Sequence, residues 1–134
     1  MSCSPAISQA CLCSVAPPLK GHEVELELLH CGVCHSDVHF IDTEMIAKSL
    51  PHILGHEFVG KVSATGSEVV GMTVGTRVGV SATVGSCGKC EDCRDGLNQC
   101  CLAAKFAGIN QHGGWANGIR VDHRFCFPLP DKYS

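Results

Sequence analysis

The sequence predicts a mainly β domain, a small barrel or sandwich carrying a metal-binding lobe. Three observations predict it. Short apolar runs with period-two alternation recur along the chain. Fifteen glycines punctuate those runs at short intervals. Four of the eleven cysteines fall at metal-ligand spacing. At 134 residues the chain fits one domain with one core.

The elements follow in chain order. The first residues are low in charge and rich in Ser, Cys and Pro, and Pro17-Pro18 breaks any helix there. Val24 to His30 (VELELLH) alternates apolar and acidic residues, as a half-exposed strand does. Glu25 and Glu27 should face water while Val24, Leu26 and Leu28 face a core. Ser36 is placed to cap a short helix through DVHFIDTEM, because Ser is a good N-cap. HEFVGKVSATGSEVV reads as a strand turning near Gly66. Thr76 to Val84 (TRVGVSATV) reads as one strand with a possible bulge at Gly79. GIRVDHRFCFPLP supplies one or two short strands closed by Pro128 and Pro130.

Composition excludes several function classes. The formal net charge is −3 and no basic run is visible, which argues against nucleic acid or an anionic membrane as the main partner. No apolar stretch approaches the roughly 18 residues of a membrane span. The N-terminus lacks the basic start and unbroken apolar centre of a signal peptide, and its lack of Arg weakens a mitochondrial reading. Eleven cysteines suit either a secreted disulfide scaffold or metal ligation in a reducing compartment. The odd count, the missing signal and the spacing favour metal, and a cytoplasmic location.

GSCGKCEDCRDGLNQCC (Gly85 to Cys101) holds five cysteines. Cys87, Cys90, Cys93 and Cys101 form C-x2-C-x2-C-x7-C, in which short gaps turn successive thiolates toward one point. Four thiolates at about 2.3 Å suit tetrahedral zinc. An iron–sulfur cluster uses the same ligands, and Cys100 is an alternative fourth donor that spacing alone does not exclude. Gly88 and Gly96 relieve backbone strain in so tight a wrap, and Lys89 and Arg94 offset part of the negative charge. A site closed by four protein ligands folds its lobe and does no chemistry. A second set stands apart: Cys34 and His56 could meet on one metal, with Glu57 close by and Asp37 holding the other nitrogen of His56.

CGVCHSD, then GHE, then the cysteine lobe, then GGWANGIRVDHRFCFPLP together resemble the zinc-dependent medium-chain alcohol dehydrogenases, most closely the NADP-dependent cinnamyl alcohol dehydrogenase branch. The resemblance runs from about Pro17 to Asp131. It implies a GroES-like, partly open β-barrel over residues 17–134, preceded by an atypical segment, 1–16. It selects Cys101 over Cys100 as the fourth ligand of a structural zinc. It implies a catalytic zinc held by Cys34 and His56, with Glu57 able to replace the metal's water and Asp37 behind the histidine. Ser36 takes the position of the hydroxyl that accepts the alcohol's proton, His39 that of the far end of the relay, and His35 a place near the cofactor's phosphates. The implied substrate is a small alcohol or aldehyde, and the implied assembly is a homodimer through another domain.

Departures from the family pattern set further expectations. The family's second catalytic cysteine has no counterpart here, and no G-x-G-x-x-G occurs. Leu54 stands where a proline precedes GHE, and Thr76 where an aspartate precedes RV. The chain is therefore expected to carry the catalytic half of such an enzyme and to be inactive alone, with apolar surface bared near Leu26, Phe40 and Trp115. The alternatives are a zinc-binding structural or interaction module, or a thiol buffer using Cys3, Cys11, Cys13 and Cys31.

Overall fold

The computed structural model describes residues 18–43 and 52–133. The segment 1–16, with Cys3, Cys11 and Cys13, lies outside the described residues, as do Glu44 and Met45 at the end of the expected helix. Among the described residues seven strands form: β1 (Glu23–Cys31), β2 (Phe58–Thr65), β3 (Arg77–Val80), β4 (Thr83–Gly85), β5 (Lys105–Phe106), β6 (Gly118–Asp122) and β7 (Phe127–Pro128). They build an antiparallel five-stranded sheet in the order β6-β1-β2-β3-β7 and a separate β4-β5 ribbon. Two short helices, α1 (His35–Asp42) and α2 (Glu91–Arg94), lie in the connections. The architecture is the mainly β one expected.

Alternation decides which face of β1 is inside. Val24 and Leu26 are fully buried, Glu27 is exposed, Glu25 is half-buried, and Leu28 packs against the edge of the core. Phe58 and Val62 from β2, Val78 and Val80 from β3, Val84, and Ile119 and Val121 from β6 complete the apolar centre. A fully buried Val or Leu of this kind contributes about 1.5–3 kcal/mol. Leu26 and Phe40 are themselves buried, while Ile41 beside Phe40 and Trp115 are exposed, so apolar surface is bared near those two positions. The sheet covers Leu26 on both flanks, because β1 is central between β2 and β6.

Two other expectations change. Thr76 to Val84 is not one strand. β3 pairs with β2 and β7, the chain breaks at Ser81-Ala82, and β4 leaves to pair with β5. Gly79 is in regular register opposite Val59 and Phe127, so no bulge forms there. The helix N-cap is Cys34, not Ser36, which sits inside α1.

The irregularity that matters for function is in β1. Its register against β2 shifts between Leu28 and His30, so that Leu28 faces Gly60 while Cys31 faces Phe58. Such shifts bend a strand and re-aim its end. The end of β1 is thereby laid along the GHE segment, where the Gly32 N–H donates to the Glu57 carbonyl at 2.9 Å.

Candidate metal centres

Cys34, His56 and Glu57 each bring one ligand atom within 4.8 Å of the others. Two separated segments supply them, and Asp37 holds those segments together. Its carboxylate is 1% exposed. Oδ2 accepts the Cys34 N–H at 3.0 Å, and Oδ1 accepts the Gly55 N–H at 3.1 Å. Oδ1 also lies 3.3 Å from Nδ1 of His56, but out of line for a hydrogen bond, so this contact is electrostatic. With Nδ1 turned toward Asp37, Nε2 is the nitrogen left for a metal.

Gly55 makes the close approach possible. Its φ is +90°, and a Cβ there would stand 2.6 Å from Cδ1 of Trp115 and 2.7 Å from Sγ of Cys31. Both the left-handed backbone and the lack of space require glycine. The turn is gripped from the other side as well: Gly114 N–H donates to the Gly55 carbonyl at 2.7 Å and Trp115 N–H to the Leu54 carbonyl at 3.0 Å.

The surroundings of Cys34 favour its thiolate form. The Ser36 backbone N–H, then the Ser36 hydroxyl and the His56 side chain, hold its thiol below the ordinary range. Ser36 Oγ lies 3.6 Å from Cys34 Sγ, and the start of α1 favours negative charge at the cap. Cys31, three residues earlier, is the contrast: burial pushes its thiol up. On the exposed side of α1, the His35 and His39 rings meet edge to face at 4.7 Å. No direct hydrogen bond joins Ser36 to His39 among the described residues. A cavity of about 240 Å³ opens elsewhere, lined by Glu23, Lys105, Arg120 and Asp122 among others. The donor geometry, not that cavity, marks the candidate site.

In the sulfur lobe, Cys87, Cys90, Cys93 and Cys101 bring their sulfurs within 4.8 Å of one another, and exposed Cys100 is outside the group. Sγ of Cys87 and Cys93 are 3.9 Å apart. Four sulfurs at about 2.3 Å from one tetrahedral ion lie about 3.8 Å apart, so the donor set fits a zinc ion. Cys90 N–H donates to Cys87 Sγ and Ala103 N–H to Cys101 Sγ, both at 3.4 Å. Gly88 and Gly96 have φ of +69° and +81°, the strain relief expected of them.

The thiols titrate as a group. The Lys89 and Cys90 N–H groups, helped by the Cys101 side chain, bring Cys87 down to about 6. At Cys90 the Cys93 N–H favours the thiolate, but the Cys93 side chain, burial and the Cys87 and Cys101 side chains outweigh it and push the thiol up to about 12. Without a cation, four thiolates this close do not ionise together. A divalent ion removes that conflict.

The sequence reading looked to Lys89 and Arg94 for charge compensation and missed Arg124. Arg124 Nη2 donates to the Ser86 carbonyl at 3.2 Å, and its guanidinium fills the space beside Gly88. No local spacing ties it to the cysteines.

The family model of the alcohol dehydrogenase GroES-like domain matches residues 20–131. The chain is 40% identical over 118 residues to cinnamyl alcohol dehydrogenase 2 of Rauvolfia serpentina, covering 83% of this chain and 33% of that protein. It is 36% identical over 120 residues to NADP-dependent alcohol dehydrogenase C 1 of Mycolicibacterium smegmatis, covering 83% and 34%. The structure superposes on a cinnamyl alcohol dehydrogenase from Sorghum bicolor with a TM-score of 0.80 and 30% identity, over 89% of this chain and 36% of that one. The chain thus spans about a third of the length of the curated relatives it matches. No described helix is long and apolar enough to cross a membrane. Sheet order, paired donor clusters and the match along 20–131 agree, and the chain belongs to the zinc-dependent medium-chain alcohol dehydrogenases, of which it carries the GroES-like catalytic-domain portion.

Proposed function

We propose that Cys34, His56 and Glu57 hold the catalytic zinc of an enzyme that interconverts primary alcohols and aldehydes with NADP. In the same proposal Cys87, Cys90, Cys93 and Cys101 hold a second, structural zinc. One observation carries this reading: three unlike donors from two segments converge beside a hydroxyl, with the histidine braced by a buried carboxylate. The NADP assignment is supported by the printed name of the Mycolicibacterium relative, and the alcohol class by that of the Rauvolfia relative.

Bound zinc supplies Lewis acidity, which lowers the pKa of a coordinated hydroxyl from about 16 toward about 7. This chain's residues then handle the proton. Ser36, beside Cys34, accepts it from the substrate hydroxyl, and His39, one helical turn on, passes it to water. His35, exposed at the start of α1, would face the cofactor's phosphates. Exposed Val33 and half-exposed Trp115, whose Nε1 donates to the Gly32 carbonyl at 3.3 Å, offer apolar surface for the alcohol's side chain. The enzyme works in the cytoplasm as a homodimer, assembled through parts other than these residues.

The 134 residues contain no G-x-G-x-x-G to bind the dinucleotide. A polypeptide of these residues alone is therefore expected to give no steady NADPH formation from cinnamyl or benzyl alcohol. Joined to the remaining part of the Rauvolfia relative, it is expected to turn over. In that chimera Ser36→Ala should lower kcat by roughly 100-fold. Turnover by the isolated polypeptide, or a Ser36→Ala chimera as fast as its parent, would refute these roles.

A further inference from the structure

The sulfur lobe's neighbour on the barrel side is a cation that metal-ligand spacing does not reveal. Arg124 belongs to the short 3-10 turn His123–Phe125 that follows β6. Asp122, 5% exposed, orients it: Nε donates to Oδ1 at 3.0 Å and Nη2 to Oδ2 at 2.5 Å. The guanidinium then lies against Ser86 and Gly88, the residues that flank Cys87. Nη2 spans the carboxylate and the lobe, reaching the Ser86 carbonyl as well as Asp122, and Nη1 sits 2.6 Å from where a Cβ of Gly88 would be. Lys89 and Arg94, the local cations, are exposed.

Four thiolates around one divalent ion carry a net charge of about −2. A fixed guanidinium at that edge stabilises them, and its effect is larger than that of mobile surface lysines because Asp122 has already ordered it. We infer that Arg124, aimed by Asp122, is a positioning residue for the sulfur-lobe metal, offsetting the charge of the tetrathiolate from the sheet side. This rests on the reading of the lobe as a metal site. It goes beyond it by assigning a partner outside the cysteine motif.

The test is cobalt affinity by chelator competition, followed through the thiolate-to-cobalt absorption. It uses the 134-residue chain at about 0.05 M and about 1 M salt. Arg124→Met keeps the length of the side chain and loses its charge. It is expected to bind cobalt about 10–100-fold more weakly at low salt, as loss of an outer partner does, with the gap narrowing at high salt. Arg124→Lys keeps the charge but loses the fork that Asp122 orients, and is expected to lose less affinity than the Met variant, with the same salt dependence. Lys89→Gln and Arg94→Gln should stay within about threefold of the parent. Equal loss in the Lys and Met variants, insensitive to salt, would reduce Arg124 to a mechanical tie and overturn the inference. So would variants that match the parent. Should the Met variant not fold, the Lys variant decides: a partial loss that narrows at high salt supports the charge role, and a loss insensitive to salt contradicts it. A parent chain with no tetrathiolate cobalt spectrum would overturn the metal reading itself. Binding by the parent with indifferent variants overturns the role of Arg124 alone.

Discussion

Cys93→Ser is expected to unfold the sulfur lobe while the five-stranded sheet survives. The lobe has almost no core of its own. α2 buries none of its residues, Leu97 is half-exposed, and Leu102 is fully exposed. α2 has four residues and the 3-10 turn after it, Asn98–Cys100, has three, far below the length at which a helix holds itself together. What closes it is the convergence of four sulfurs, and a structural metal there supplies on the order of 10 kcal/mol of local folding free energy. Removing one thiolate breaks the tetrahedron and returns the remaining thiols to mutual repulsion. Hydrogen exchange read along the chain checks this. Amides from residue 87 to 104 should lose protection by several orders of magnitude, while those of Val24, Leu26 and Val62 keep theirs. Unchanged protection across the lobe would mean that packing, not metal, folds it.

Asp37 carries the second large effect. Its buried carboxylate accepts N–H groups from Cys34 and Gly55, which lie on the two segments that make the candidate catalytic centre. Asp37→Ala leaves both donors without an acceptor, at about 1–3 kcal/mol each, so a loss of about 2–6 kcal/mol is expected. Asp37→Asn has the same shape but one acceptor fewer, and its NH2 group would face an N–H. About half that loss is expected from it. Denaturant unfolding measures both. The centre should also lose zinc in both variants, since His56 loses the charge behind Nδ1. A change below about 0.5 kcal/mol in both, the range of an ordinary surface substitution, would show that the two segments are held by something other than this carboxylate.

The same residues show how far the sequence could be read. β1 and β2 were legible because alternation and burial agree there: Val24, Leu26 and Val62 point inward as their period requires. The break in Thr76 to Val84 was not. Its apolar pattern runs on past Ser81, and only the choice of partners, β2 and β7 for one half and β5 for the other, splits it. The α1 cap was misplaced because a hydroxyl is the usual signal. Here Asp37, three residues after Cys34, returns its side chain to the cap N–H. That acidic residue at the third helical position is a capping-box signal the sequence does carry. Both donor clusters were marked by residue type and order. Arg124 was not, because its bond to the Ser86 carbonyl beside Cys87 exists only after β6 has been laid beside β1 and the lobe folded back on β4.

The account depends on two separate ion sites, one closed by sulfur and one with room for a further ligand. The most direct measurement is zinc per chain after mild chelation, taken together with X-ray absorption at the zinc edge. For the unaltered chain, two ions are expected. One has four sulfurs at about 2.3 Å, and the other has mixed sulfur, nitrogen and oxygen neighbours. In His56→Ala, one ion is expected, with the all-sulfur spectrum alone. A single ion in the unaltered chain that persists, spectrum unchanged, in His56→Ala would contradict the account, because the centre at Cys34 and His56 would then hold no metal.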